Sequence, residues 1–264
     1  MSDEDRVAFL TPHPPVLVPE VGRGREEDIG ATSKAMATLA DALTEYRPDA
    51  VVLMSPHAPV IGRKIAVVMA KEYQGSLKQF GAPDVTIAAS CDRDLATAIV
   101  DFAGEDALLV QTGNIAPLDH GALVPLSFLD PEGRFPLVLM SIALSGMATF
   151  ERLGAAVGRA ADSLGRRIVF VGSGDLSHRL TPDAPAGFVP DAARFDREIV
   201  SIITKGDLDR LADLDPELID RAGECGLRSV WTAAGFVGPE PAVHEVLSYE
   251  GPFGVGYMVA KLSA

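Results

Sequence analysis

The chain has 264 residues, of which 47% are apolar, enough for one large α/β domain or two ordinary ones. A formal net charge of −14 leaves no basic surplus to displace counterions from phosphates, which excludes nucleic acid and anionic membrane surfaces as partners. Two cysteines, Cys91 and Cys225, exclude a disulfide scaffold and suit a reducing compartment, and Met1–Arg6 is charged with no apolar segment of export type behind it.

No run of about 18 apolar residues exists, so no transmembrane helix is expected, and the cysteine usage makes the cytoplasm the expected location. Val7–Leu10 reads as the first strand, and the long Pro-, Gly- and charge-rich stretch Thr11–Gly30 as a functional loop. Ala31–Tyr46 is a helix, with Met36, Leu39, Leu43 and Tyr46 at helical spacing. Val51–Met54 and Ile65–Met69 are strands; Tyr73–Pro83 is irregular; Val85–Ala89 is another strand. Asp92–Phe102 reads as a helix, Ala107–Val110 as a short strand and Asn114–Gly121 as a loop. Leu137–Ile142 is a strand, Ala148–Leu164 an amphipathic helix and Ile168–Val171 a strand. Thr181–Pro190 has the composition of a mobile flap. Helices are expected at Asp191–Thr204, Leu208–Leu214, Glu217–Arg221 and Cys225–Phe236, and a closing pair of strands at Ala242–Tyr249 and Phe253–Lys261. Strands alternate with helices and no linker divides the chain. The expectation is a single α/β domain over residues 1–264, with a largely parallel, mixed central sheet flanked by helices.

Three of the five histidines follow apolar strands across short turns. Val7–Leu10 runs into Thr11-Pro12-His13-Pro14, and Val51–Met54 into Ser55-Pro56-His57-Ala58-Pro59. Ile168–Val171 runs into Gly172-Ser173-Gly174-Asp175-Leu176-Ser177-His178. Open α/β sheets place ligands at the carboxyl ends of their strands, which is where these histidines fall. Prolines stiffen the turns around His13 and His57, and metal sites need donors held to within tenths of an ångström. Either histidine alone reads first as a hydrogen-bonded loop residue; the repeated context shifts the balance towards metal. His178 is a candidate general acid–base, since an unperturbed imidazole titrates near neutrality. His120, in Leu118-Asp119-His120-Gly121, reads as a substrate contact or as a cap on the following segment. His244 falls inside a strand pattern and reads as structural.

Two neighbours compete to be the third ligand. Glu224 with His13 and His57 would form a two-histidine, one-carboxylate triad suited to Fe(II) and O2. Cys225 with the same pair would suit zinc or copper. The plainer readings are an acid that stabilises a helix start and a buried small hydrophobe. A Ser-His-Asp hydrolase is disfavoured, because no Gly-x-Ser-x-Gly elbow occurs.

With these segments in their order, the chain resembles the catalytic-subunit family of class III extradiol ring-cleaving dioxygenases, the LigB-like superfamily. The likeness is closest to the LigB-like domain of AmmeMemoRadiSam-system and Memo-related proteins. It is carried by Leu10-Thr11-Pro12-His13-Pro14-Pro15, Ser55-Pro56-His57-Ala58-Pro59, Leu118-Asp119-His120-Gly121, Gly174-Asp175-Leu176-Ser177-His178, Ala222-Gly223-Glu224-Cys225-Gly226 and Leu247–Tyr257. Asp175 stands where the dioxygenases carry glycine. The resemblance implies Fe(II) held by His13, His57 and Glu224, a substrate contact from His120 and acid–base work by His178. It implies a catechol-like substrate, O2 as co-substrate and a subunit able to assemble with its own copies. The Memo likeness implies Cys225 as the third ligand instead, Zn or Cu as the metal, and a redox or accessory role without ring cleavage. Phe188 and Tyr257 are the aromatics that could wall a ring.

Overall fold

The computed structural model describes residues 6–238 and 243–263. In chain order the strands are β1 (Val7–Thr11), β2 (Ala50–Ser55), β3 (Ile65–Met69), β4 (Glu72–Leu77), β5 (Ala82–Ser90), β6 (Ala107–Gln111), β7 (Ile115–Pro117), β8 (Leu137–Ser141), β9 (Ile168–Ser173), β10 (His244–Glu250) and β11 (Tyr257–Ser263). The helices are α1 (Pro19–Gly22), α2 (Gly30–Tyr46), α3 (Arg93–Ala103), α4 (His120–Leu129), α5 (Met147–Ser163), α6 (Ala192–Lys205), α7 (Pro216–Ala222) and α8 (Leu227–Val237).

Eight strands form one sheet in the order β10-β11-β1-β9-β2-β8-β3-β6. The four central strands β1, β9, β2 and β8 are mutually parallel. β3 runs antiparallel to β8, and β11 antiparallel to β1, so the parallel centre has antiparallel flanks. Successive strand side chains point to opposite faces. Ala8, Leu10, Val52, Met54, Ile168 and Phe170 face a core completed by α3, α5, α6 and α8. Val7, Phe9, Val51, Leu53, Val169 and Val171 face a second core with α2, α4 and a small sheet. Both faces are covered, which is why these strands read as unbroken apolar runs rather than alternating ones.

The expected Thr11–Gly30 loop holds the short α1, the last strand begins at Tyr257 rather than Phe253, and two further segments near the site differ from the sequence reading. Tyr73–Pro83, expected to be irregular, carries β4 and the start of β5, and with β7 these form a three-stranded sheet in the order β5-β4-β7. Its short alternation, Tyr73 and Leu77 buried with Gln74 exposed, is broken by Gly75, whose lack of a side chain admits Leu118. The expected Asn114–Gly121 loop holds β7 and ends where α4 begins at His120. α4 is buried on most of its circumference and contains Pro125, so it shows no 3.6-residue period. The Thr181–Pro190 stretch is a run of turns. Amides of Ala186 and Val189 donate to the carbonyls of His178 and Arg179, and Leu180 N–H donates to Gly254 O. The expected strand start at Ala242 lies outside the described residues.

α5 and α8 cross at glycines. A Cβ on Gly154 would overlap the Thr232 carbonyl oxygen, and one on Gly235 would overlap that of Glu151. The helix-propensity gain from alanine is about 1 kcal/mol, smaller than the repacking a backbone clash forces. Gly154→Ala is therefore expected to lower unfolding free energy by roughly 1–3 kcal/mol. Gly146→Ala, at a position with open space around it, should change it by less than about 0.5 kcal/mol. Urea denaturation of the two variants checks the contrast.

Candidate metal centre

β1, β9 and β2 are neighbours and parallel, so their carboxyl ends share one rim. His13 lies two residues beyond β1, His57 two beyond β2, and the loop to His178 follows β9. The rim also receives His120, the first residue of α4. Its Nδ1 or Nε2 lies with ring nitrogens of His13 and His57 in a group whose donor atoms are all within 4.8 Å of one another. His57 Nε2 is 3.1 Å from His13 Nε2. The His57 and His120 rings are 4.0 Å apart, centroid to centroid. The fold thus closes a sequence separation of 107 residues between the outer two.

The His13 ring is held from behind, and His57 is held through its backbone amide. His13 Nδ1 is 2.9 Å from Ser173 Oγ at the end of β9, and His13 N–H donates to Asp175 Oδ1 at 2.9 Å. The tautomer that donates from Nδ1 to Ser173 leaves the Nε2 lone pair facing the cluster. On the other side Ser55 Oγ–H donates to Asp119 Oδ1 at 2.6 Å and accepts the His57 N–H at 3.2 Å. Asp119 also accepts the Ala122 amide and so caps α4, fixing His120 at its first position. Gly121 packs so closely on Ser55 and His57 that a side chain there would displace them.

Glu224 and Cys225 point to different tasks. The Glu224 carboxylate accepts the Leu227 amide at 2.6 Å, starting α8, and lies 3.9 Å from Arg228. That bond begins the helix two residues later than the sequence suggested. Cys225 Sγ lies 3.8 Å from His13 Nε2 and accepts the Asp175 amide at 3.3 Å. Gly174 and Gly226 touch backbone to backbone between these loops, and a Cβ on either would collide. His178 directs Nδ1 to the Leu176 carbonyl at 3.0 Å, which makes Nδ1 the protonated nitrogen and leaves Nε2 free. Ser177 Oγ–H donates to Ala222 O, not to His178, so no serine nucleophile is paired there. Ser173 does meet a histidine, but it is fully buried. Phe188 is exposed in the turns after His178, whereas Tyr257 is buried at the start of β11. His244 heads β10 and is outside the histidine group.

Burial, reinforced by the neighbouring His57, pushes the His13 imidazole down to about 3. Burial, with His57 and His13 nearby, pushes His120 down to about 4. Burial also raises Asp175 to about 6 and holds the Cys225 thiol well above its ordinary value. His13 and His120 are thus neutral at pH 7 and offer lone pairs, a donor set that fits a transition metal. Sequence reasoning missed Ser55, Asp119, Ser173 and Asp175 as supports. Their types are common in turns, and only the Asp119–Ser55 and Ser173–His13 pairings set them apart. It also missed Phe80, whose ring meets His120 edge-on at 5.4 Å.

An α/β sheet with clustered imidazoles at the carboxyl rim of its parallel strands defines the class: an α/β protein with a three-histidine group whose donor atoms could hold a metal ion. The chain belongs to the LigB family, matching "Catalytic LigB subunit of aromatic ring-opening dioxygenase" over residues 7–260. It is 35% identical to Protein CA_C1420 of Clostridium acetobutylicum over 97% of this chain and 57% of that protein. It is 31% identical to a 2,3-dihydroxyphenylpropionate/2,3-dihydroxicinnamic acid 1,2-dioxygenase of Mycobacterium sp. over 71% of this chain and 60% of that enzyme. Against the 4,5-DOPA dioxygenase extradiol of Beta vulgaris it is 27% identical, covering 68% of each. The chain thus spans less than two thirds of the first two relatives. An uncharacterized protein (JW3007) of Escherichia coli K12 shares the fold, with a TM-score of 0.70 at 17% identity over 98% of this chain and all of that one.

The His178 loop hangs on Asp196 of α6. This fully buried carboxylate accepts the Ser177 amide at 2.9 Å and the Tyr249 hydroxyl at 2.7 Å, and burial raises it to about 6. The folded state therefore binds a proton that the unfolded state has released between about pH 4 and 6, and this group costs stability as pH rises through that window. Asp196→Asn removes the cost. Relative to the unaltered protein, its urea midpoint should improve steadily from pH 4 to 7, by up to roughly 2–3 kcal/mol. A pH-independent difference between the two would contradict this assignment.

Proposed function

We propose that this protein is a metal-dependent enzyme of extradiol dioxygenase type that opens a catechol-like ring with O2. The observation that carries the reading is the convergence of His13, His57 and His120 at one sheet rim in a chain of the ring-opening dioxygenase family. His13 and His57 would hold the metal, Fe(II) in this reading, with Glu224 or Cys225 as the further donor. Bound Fe(II) supplies the electron transfer between ring and O2 that no amino-acid side chain provides. Ser173 orients the His13 ring through Nδ1, and the Ser55–Asp119 pair fixes the backbone of His57 and the start of α4. His120, neutral at working pH, donates or accepts a hydrogen bond to a substrate oxygen. His178, with Nδ1 anchored on a carbonyl, takes a substrate hydroxyl proton at Nε2 and returns it to the product. The protein works inside the cell, as its cysteine usage suggests, and assembles with copies of itself as related subunits do.

One specific observation favours a second reading. Cys225 Sγ faces His13 Nε2 at 3.8 Å, while Glu224 is engaged on the Leu227 amide. A two-histidine, one-thiolate set suits Zn or Cu, and would make this a Memo-like metal-binding redox or accessory protein without ring cleavage.

Metal content and ring cleavage separate the two. His13→Ala and His57→Ala are each expected to lose metal by at least 10-fold, and Ser173→Ala by about 10-fold through the freed imidazole. Loss of metal in Cys225→Ser but not in Glu224→Gln assigns the thiolate; the reverse assigns the carboxylate. Anaerobically loaded with Fe(II) and then given O2, the protein should open at least one member of a catechol panel. Full metal retention by both histidine variants would overturn both readings.

A further inference from the structure

β3 runs antiparallel to β8, and β6 runs parallel to β3, so the carboxyl ends of β3 and β6 lie at the rim opposite the histidines. There a cavity of about 420 Å³ opens between the turn after β3, the loop after β6 and the first residue of α3. Its polar lining is Lys71, Arg93, Gln111, Thr112 and Asn114, with Gly113 between the last two. No carboxylate lines it, in a chain where Asp and Glu number 37 against 23 Lys and Arg. Neither Lys71 nor Arg93 has an ion pair among the described residues. The acid just before Arg93 is occupied: Asp92 accepts the Leu95 amide and pairs with Arg166. Glu72 and Asp94, the other sequence neighbours of the two cations, are not in the lining. Backbone bonds fix the walls. Thr112 N–H donates to Met69 O at 2.9 Å, and the amides of Lys71 and Glu72 share Asn114 O, each at 3.1 Å. The Cβ position of Gly113 has open space around it.

We propose that this cavity binds a phosphoryl group, free or carried by a small molecule, at a site separate from the histidine group. Open α/β sheets seat ligands beyond the carboxyl ends of parallel strands, and β3 and β6 are such a pair. A lysine offers a point charge and an arginine a planar fork, and phosphate accepts both. Two cations from separate elements suit a dianion better than a single carboxylate, which one guanidinium satisfies. Gln111, Thr112 and Asn114 add neutral donors around them. The net charge of −14 opposes long polyanions, but one phosphoryl group inside the cavity answers to the two cations beside it. The volume falls in the range of small-molecule sites, so the organic body of a phosphomonoester also has room.

Calorimetry of the full chain with inorganic phosphate, glycerol 3-phosphate and acetate tests this. At least one of the two phosphates should bind at one equivalent, and acetate at least about 10-fold more weakly. A tighter ester identifies the source as a phosphomonoester, and a tighter free ion identifies it as phosphate; both support the site. Lys71→Gln combined with Arg93→Gln should weaken phosphate binding by at least about 10-fold, the order expected for lost charge-assisted bonds. Lys34→Gln combined with Lys205→Gln removes the same charge from exposed positions elsewhere and should stay within about twofold of the unaltered protein. His13→Ala should also stay within about twofold. Urea midpoints close to that of the unaltered protein verify that each variant is folded. Absence of binding by both phosphates, or phosphate binding that survives the Lys71 and Arg93 changes, overturns the proposal. So does an equal loss in the Lys34 and Lys205 variant, which makes the effect one of net charge. A loss in His13→Ala assigns the anion to the histidine group and overturns it as well.

Discussion

The structure depends on the parallel adjacency of β1, β9 and β2. Each strand is a fully buried ribbon locked by ladder hydrogen bonds to the next, and together they leave a single edge at which every following turn must emerge. The histidine turns inherit their meeting place from that edge. Burial of both sheet faces supplies the energy: each enclosed aliphatic side chain is worth roughly 1.5–3 kcal/mol. The polar residues at the rim can therefore be arranged for chemistry without being asked to hold the fold.

At that rim the polar groups form two brackets. Ser173 and Asp175 grip His13, and Ser55 with Asp119 grips His57 and the first turn of α4. Both use short side chains at strand ends, where backbone positions are already fixed, so orienting an imidazole costs little further entropy. The low proton affinities of His13 and His120 follow from this packing: neighbouring imidazoles withdrawn from water oppose one another's charge. Rings that would repel one another when protonated leave lone pairs that could serve a cation of another kind.

Much of this was legible beforehand. Apolar runs ending in Pro- or Gly-bearing turns located β1, β2 and β9 and the histidines after them, because a strand buried on both faces has a simple signature. The mixed sheet and its flanking helices followed from the alternation of elements. α4 was not legible, since a helix enclosed on most sides loses its periodicity, and its cap Asp119 resembles any loop aspartate. The supports Ser55 and Ser173 were invisible as supports because their roles are tertiary: Ser55 works with a residue 64 positions away and Ser173 with one 160 positions away. The choice between Glu224 and Cys225 was open for a different reason. Adjacent residues at a helix start diverge by about 100° in direction, and the sequence does not say which of them faces the histidines.

That cap bond has a wider meaning. Because the Glu224 side chain starts α8 while the next residue looks towards His13, the phase of one helix decides whether oxygen or sulfur is presented to the histidines. Residues 174 and 226 meet backbone to backbone beside that start, where a Cβ on Gly174 would overlap Gly226. Two adjacent residues of different donor hardness thus stand at one helix start, and where that helix begins sets which of them lies beside His13.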